Sequence, residues 1–370
     1  MTILDRHVLG TWLKTFGLIM AALLGLLVLV DMQRNLADFV GSGAGLWEVF
    51  YYYLVLVPGY VPVVLQISVL LSLLYALGQL HRSNEFTAMR AAGLGLLRVT
   101  RAIWVFGLLL AGFVWYLNAS LIPWSVEQAR ATREGMQRAA DVRKGGRTGV
   151  GVYTALAFAN ESAGRLWFLN AYDETTRRGE GVSLEFFDAR HREVRRLMAK
   201  EAYFDRWRGG WVFLEGRELR FDPSTGEQLE SVPFAHRIEE KVDDDPELML
   251  LLLKKPDDLS LHELERAIEH LRGEDTARLR RYSVEHERKK AGPFGVLIVM
   301  ALAVPFAVGG VRVNPAVNMS KSIGLFFLYF LLTKLATLLA SFGTLGPGMA
   351  AWLPDGMMAV IALWAFARLR

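Results

Sequence analysis

Uncharged apolar runs alternate along this chain with short charged intervals, and the runs are long. Thr15–Val30, a stretch within Val49–Leu80, Ala102–Pro123, Ala291–Val311, Ile323–Ala340 and Ala350–Ala367 carry almost no charge. About 20 apolar residues in a helix cross a hydrocarbon core of roughly 30 Å. One such run could be a buried core helix; six of them predict six transmembrane helices. The first run follows Asp5, Arg6, His7 and Lys14, and no small-residue cleavage site comes after it. It therefore reads as a retained span and not as a signal peptide.

Between the third and fourth runs the pattern changes. From "GRLWFLNAYDE" to "FDPSTGEQLE" the chain alternates short apolar and polar stretches, broken by turns such as Arg208-Gly209-Gly210 and Asp222-Pro223-Ser224. That is the signature of short antiparallel strands and predicts a β-sandwich or similar all-β domain. After it, Ser260 and Glu263 form a capping box, and Leu261, Leu264, Ile268 and Leu271 repeat at helical spacing. A second helical stretch from Glu274 runs into the fourth span. The predicted fold is thus a membrane α-helical protein with an inserted all-β domain. Its parts are 1–125 (spans one to three), 126–255 (β domain), 256–290 (helical connector) and 291–370 (spans four to six).

Charge gives the orientation. The loop from 81 to 102 holds Arg82, Arg90, Arg98 and Arg101 against one acid, Glu85. The loop after the fourth span holds Arg312 and Lys321, and the chain ends Arg368-Leu369-Arg370. Short basic loops mark the cytoplasmic side. Both termini are therefore expected inside and the β domain outside, since long loops cross regardless of charge. The net charge of +4 on 370 residues decides little else.

Much chemistry is excluded. There is no cysteine, hence no disulfide and no thiolate metal site. No phosphate-binding loop, His-Glu-x-x-His or Gly-x-Ser-x-Gly motif occurs. No resident cofactor, metal or nucleic acid is expected, and an enzyme reading has no catalytic constellation to rest on. His262 and His270 read as solvated surface residues, and "RKGGRTGVG" at 143–151 as a linker.

Three features remain. The first is the segment 83–93, "SNEFTAMRAAG". Ser83 can cap a short helix, Glu85 lies in its first turn, Phe86, Met89 and Gly93 share a face, and Arg90 is displayed elsewhere. Such a helix can lie on lipid headgroups, serve as an inert connector, or dock into a partner. The second is the pair Pro58 and Pro62, which should kink or unwind the second span or make it a gate. The third is cationic: Lys334 sits inside the fifth span, where a charge is costly, and Arg34 lies just past the first. Either they face an anionic ligand, or Lys334 snorkels to the interface.

The order of spans, the inserted β domain and three motifs together resemble the LptF/LptG permease family across essentially the whole chain. The motifs are "SNEFTAMRAAG", "LDRHVLGTWLKTF" and "RRYSVEHERKKAGPFGVLIVMALAVPFAV". The resemblance implies a non-catalytic permease subunit of an ABC transporter in the Gram-negative inner membrane, extracting lipopolysaccharide. The implied partners are a soluble ABC ATPase in two copies, a second paralogous six-span permease, and a periplasmic bridge protein of jellyroll fold. The β domain would then be a periplasmic β-jellyroll. The segment 83–93 would be the coupling helix, with Glu85 pairing to a basic residue of the ATPase and Phe86 and Met89 as its apolar anchors. One position departs: Asp31 stands where family members often carry a basic residue facing the lipid phosphates, while Arg34 matches a basic position. Arg34 and Lys334 are therefore the expected lipid-binding residues. Two alternatives stay open: a permease for another lipid, and a membrane-anchored sensor or scaffold.

Overall fold

A computed structural model describes residues 2–143, 152–160, 163–174, 176–205, 209–240, 242–272, 277–308 and 315–368. The chain forms two compact units. One contains residues 1–133, 256–268 and 276–370; the other contains 134–255 and 269–275.

The first unit holds the six expected apolar helices, each long enough to cross a membrane. They are α1 (Ile3–Ser42), α2 (Leu46–Arg82), α5 (Arg101–Tyr116) continuing through a π-helical turn (Leu117–Leu121) into α6 (Ile122–Arg143), α9 (Ala277–Val308), α10 (Pro315–Ser341) and α11 (Pro347–Ala367). Two short helices, α3 (Glu85–Ala91) and α4 (Leu96–Val99), fill the loop after α2. Several helices outrun their apolar runs, because a polar residue at a helix end does not break the backbone ladder. α1 continues past Asp31 and Arg34 and stops only at Gly43, whose left-handed φ of 63° lets the last carbonyls be capped. α2 likewise runs through Pro58 and Pro62 as one helix, so the expected unwinding there is not observed.

α9 is the axis of this unit and packs on α2, α5, α10 and α11. Of its most apolar stretch 67% is buried, against 0% for α1. Val296, Val299, Met300, Ala303 and Val304 have no exposure at all. Close approach needs missing side chains. A Cβ on Gly295 of α9 would stand 2.7 Å from the Gln66 amide nitrogen and 3.0 Å from the Tyr329 hydroxyl.

The second unit contains six antiparallel strands, β1 (Val152–Asn160), β2 (Arg165–Asp173), β3 (Arg178–Phe187), β4 (Glu193–Asp205), β5 (Gly210–Phe221) and β6 (Gln228–Glu239). They hydrogen-bond in sequence order, β1 to β6, as one meander. The all-β insert is as expected, but among the described residues its strands form a single sheet without the crossovers of a jellyroll. Short turns join each strand to the next and leave no chain for a crossover. The expected domain boundary also shifts. Residues 126–143 are helix, and the strands begin at Val152. The glycine-rich stretch 144–151 and the basic Arg312 lie outside the described residues.

The sheet is strongly curled. Trp167 on β2 and Trp211 on β5 have ring centroids 4.6 Å apart. In a flat sheet, strands three places apart would lie about 14 Å from each other. Met249 and Leu250 of α7 (Pro246–Leu253) line one small apolar gap together with Phe158, Leu169 and Trp211. Under this apolar layer Asp244 gathers the buried donors. Trp167 donates to its carboxylate at 2.9 Å and Asn160 at 2.6 Å, Arg165 Nε lies 3.1 Å away, and the Trp211 indole donates to its backbone carbonyl at 2.8 Å. The Ser260–Glu263 capping box forms as expected, with both reciprocal hydrogen bonds, and opens α8 (Leu261–His270).

Candidate functional site

The segment between the second and third long helices is built from two sharp stops. Ser83 ends α2: its single hydroxyl proton is shared between the Glu85 carboxylate at 2.9 Å and the Leu80 carbonyl at 3.2 Å. It therefore closes α2 and does not open the next helix, as the sequence had led us to expect. Asn84 makes the corner in a left-handed conformation (φ 60°), which asparagine tolerates better than most residues. α3 then runs for seven residues. It closes at Gly93 (φ 83°), where Gly93 N–H donates to Arg90 and Leu94 N–H to Met89, the paired bonds of a Schellman cap.

α3 presents two different faces. Phe86 is 1% exposed and Met89 8%, and both belong to the core that includes Val8, Trp12 and Leu80. These two residues thus anchor α3 to its own chain. Both side chains of the expected apolar anchors lie in the same buried cluster as Trp12 and Leu80 of this chain. Glu85 and Arg90 are exposed. Arg82 and Arg98 are exposed as well, so this surface is mostly cationic.

The first turn of α1 clasps the segment from both sides. His7 Nε2 lies 2.8 Å from the Glu85 carboxylate, and Arg101, at the start of α5, donates to Asp5 at 2.6 Å. Hydrogen bonds from His7 and then Ser83 hold the Glu85 carboxyl below its ordinary value, so it is ionised at neutral pH. Sequence reasoning missed this clasp. Its signal was Asp5 and His7 in "LDRHVLG", at the head of a helix whose apolar run dominates the pattern.

The expected lipid-facing residues are not brought together. Arg34 on α1 and Lys334 on α10 are both exposed, and the two helices pack mainly on different neighbours. α1 packs on α2 and α5, α10 on α9 and α11. Lys334 stacks over Phe330, with its nitrogen 5.4 Å from the ring centroid. Asp31 receives the side chain of Asn35 at 3.0 Å and lies near the phenols of Tyr53 and Tyr60. Its carboxylate is engaged within its own chain, so the departure noted at this position need not set an acid against phosphates.

A buried acid inside the last span also escaped sequence reasoning. Asp355 on α11 is 7% exposed and accepts from the Tyr329 hydroxyl at 2.8 Å. The signal was Pro354-Asp355 inside an apolar run, hidden because that run is otherwise uncharged. Among the described residues no cluster of acids and histidines has a metal-holding arrangement.

When the sequence is compared with known proteins, a family described as lipopolysaccharide export system permease LptF/LptG matches residues 6–368. No curated protein matches the chain.

Proposed function

From the premise that this chain belongs to the LptF/LptG family of lipopolysaccharide export system permeases, we propose that it is the permease half-site of an ABC transporter powered by a separate ATPase. The chain would lie in the inner membrane of a Gram-negative cell, with both termini and α3 cytoplasmic and the sheet unit periplasmic. Its partners would be two copies of a soluble ATPase, a second six-span permease, and a periplasmic bridge protein.

The observation that carries this reading is the two-faced α3. Its buried face, Phe86 and Met89, fixes it in the core, while Glu85 and Arg90 remain on the surface. A partner that grips Glu85 and Arg90 therefore moves the spans along with α3. Charge-assisted contacts suit such a grip. The cargo site would form between this chain and the second permease, where α1 and α10 turn apolar side chains outward. Leu29 on α1 is 65% exposed and Phe327 on α10 also 65%. Arg34 and Lys334 would line that cavity as cations for lipid phosphates. Closing the ATPase dimer would drive α3, narrow the cavity and expel the lipid toward the curled sheet.

Glu85→Arg tests the coupling. It reverses one exposed charge, so the chain should still fold and insert, while lipopolysaccharide release from proteoliposomes should fall by more than about tenfold, the equivalent of 1.4 kcal/mol. His7→Gln removes only the internal clasp partner and should leave release near normal. Wild-type release by Glu85→Arg would sink the docking role of α3.

A further inference from the structure

The span unit contains a second apolar recess, away from α1 and α10. It lies between the α4–α5 corner, α9 and α11, and its volume is about 680 Å³. Leu97, Trp104, Leu297, Ala301, Ala359 and Phe366 form much of its wall. Along α11 it extends from Trp352 to Phe366, roughly 21 Å at 1.5 Å per residue. One leaflet of a bilayer offers acyl chains a depth of about 15 Å, half the hydrocarbon core. The recess is therefore long enough to take a chain along its whole length.

Its two ends differ. At one end Phe294 and Trp352 pack together, with ring centroids 5.3 Å apart. At the other stand three arginines. Arg98 follows the lining residue Leu97. Arg101 opens α5 one turn before the lining residue Trp104. Arg368 follows Phe366 and stacks on Trp364 at 3.8 Å. Asp5 meets Arg101, but no carboxylate pairs with Arg98 or Arg368 among the described residues.

We propose that this recess binds an anionic glycerophospholipid, its acyl chain in the α5–α9–α11 groove and its phosphate at Arg98 and Arg368. Empty apolar space in a membrane forfeits dispersion contacts on one side, and the surrounding lipid chains supply them. Basic residues at the headgroup level of a groove between helices select negative headgroups. A partner helix would have to bring acids to the same corner or leave the two guanidiniums against hydrocarbon. In the orientation proposed above the arginines face the cytoplasmic leaflet, so this lipid is a resident of the transporter and not its cargo. It would stiffen the joint between α11 and the corner that follows α3.

The test reads retained lipid and not export, so it stands or falls separately from the transport reading. The full-length chain is reconstituted in nanodiscs of equal parts phosphatidylglycerol and phosphatidylethanolamine, re-extracted in mild detergent, and its bound lipids are identified by native mass spectrometry. We expect retained phosphatidylglycerol to exceed phosphatidylethanolamine. Arg98→Gln and Arg368→Gln, both exposed and neutral to the core, should each lower that ratio about fivefold. Ala359→Phe, which fills the groove, should reduce the number of lipids held per chain. Equal retention of the two lipids, indifference to both arginine variants, or lipopolysaccharide in place of the glycerophospholipid would overturn the proposal.

Discussion

In the sheet unit one carboxylate, Asp244, gathers Asn160, Arg165 and Trp167, and its own carbonyl takes Trp211. Within the apolar spans, buried polar groups meet in separate pairs: Trp12 donates to Ser72 at 2.8 Å, and Tyr329 to Asp355 at 2.8 Å, whereas the polar first half of α9 clusters Glu285, Arg288 and Lys289 with the 257–259 segment. The sheet unit gathers several donors on single buried carboxylates, on Asp244 and again on Glu218, which meets Arg195, Arg220 and Arg237. The apolar spans scatter single bonds between helices and leave Leu18, Leu29, Phe327 and Leu331 facing outward. Water accounts for the contrast. A curled sheet in water needs one specified closure, and a fully satisfied polar network specifies it. Helices in hydrocarbon have no apolar surface to hide from their solvent, so small residues and isolated hydrogen bonds suffice to position them.

The contrast can be broken most forcefully at the hub. Asp244→Ala would take the carboxylate from the Trp167 indole, the Asn160 amide and the Arg165 guanidinium, which keeps Asp243, at a cost of about 3 kcal/mol. Denaturant melts followed by near-ultraviolet circular dichroism should show the tryptophan cluster lost while the helical signal persists. A variant that keeps its tryptophan signal would show that the curl does not depend on the hub. A smaller effect is expected in the spans. Asp355→Leu leaves only the Tyr329 hydroxyl unpaired and should cost about 1–2 kcal/mol. Asp355→Asn, which can still accept that bond, should be close to wild type in thermal melts in detergent. The smallest effect is a pH dependence. The hydrogen bond from Arg165 holds the Asp243 carboxyl below its ordinary value of 3.8. A depressed acid stabilises the fold above its unfolded value and loses that contribution as pH falls through its folded one. The sheet unit should therefore weaken slightly below pH 3.8, and Asp243→Asn should remove that part of the acid sensitivity.

The spans were legible because six uncharged runs of membrane length have no place in a water-soluble core. The strands were legible as strands, since alternation and turns are local. Their single curled sheet was not, because Trp167 and Trp211 are 44 positions apart and nothing local pairs them. At the candidate site, the short helix and its glycine stop could be read from "NEFTAMRAAG". Which of its faces is buried could not: seven residues are too few for a periodicity to tell a core-facing stripe from a partner-facing one. Tertiary packing against Val8, Trp12 and Leu80 decided it. Ser83 was misplaced for a similar reason, since a hydroxyl at a corner between two helices can end one or begin the other. Asp355 was missed because a search for long uncharged runs discounts the single charge inside one.

The length of α1 has a mechanical meaning. Its 40 residues make one unbroken helix, a rod of roughly 60 Å. The rod's first turn is bonded to Glu85 beside it and to Arg101 at the foot of α5. Asp31 and Arg34 lie in its far half, two to three turns before its end at Ser42. A rod held at one end works as a lever. Tilting it by about 5° about its middle swings either end through roughly 3 Å, on the order of a side-chain contact. Under the coupling proposed above, a small push delivered at α3 would thus reach the opposite end of α1 undiminished, without any flexible relay in between.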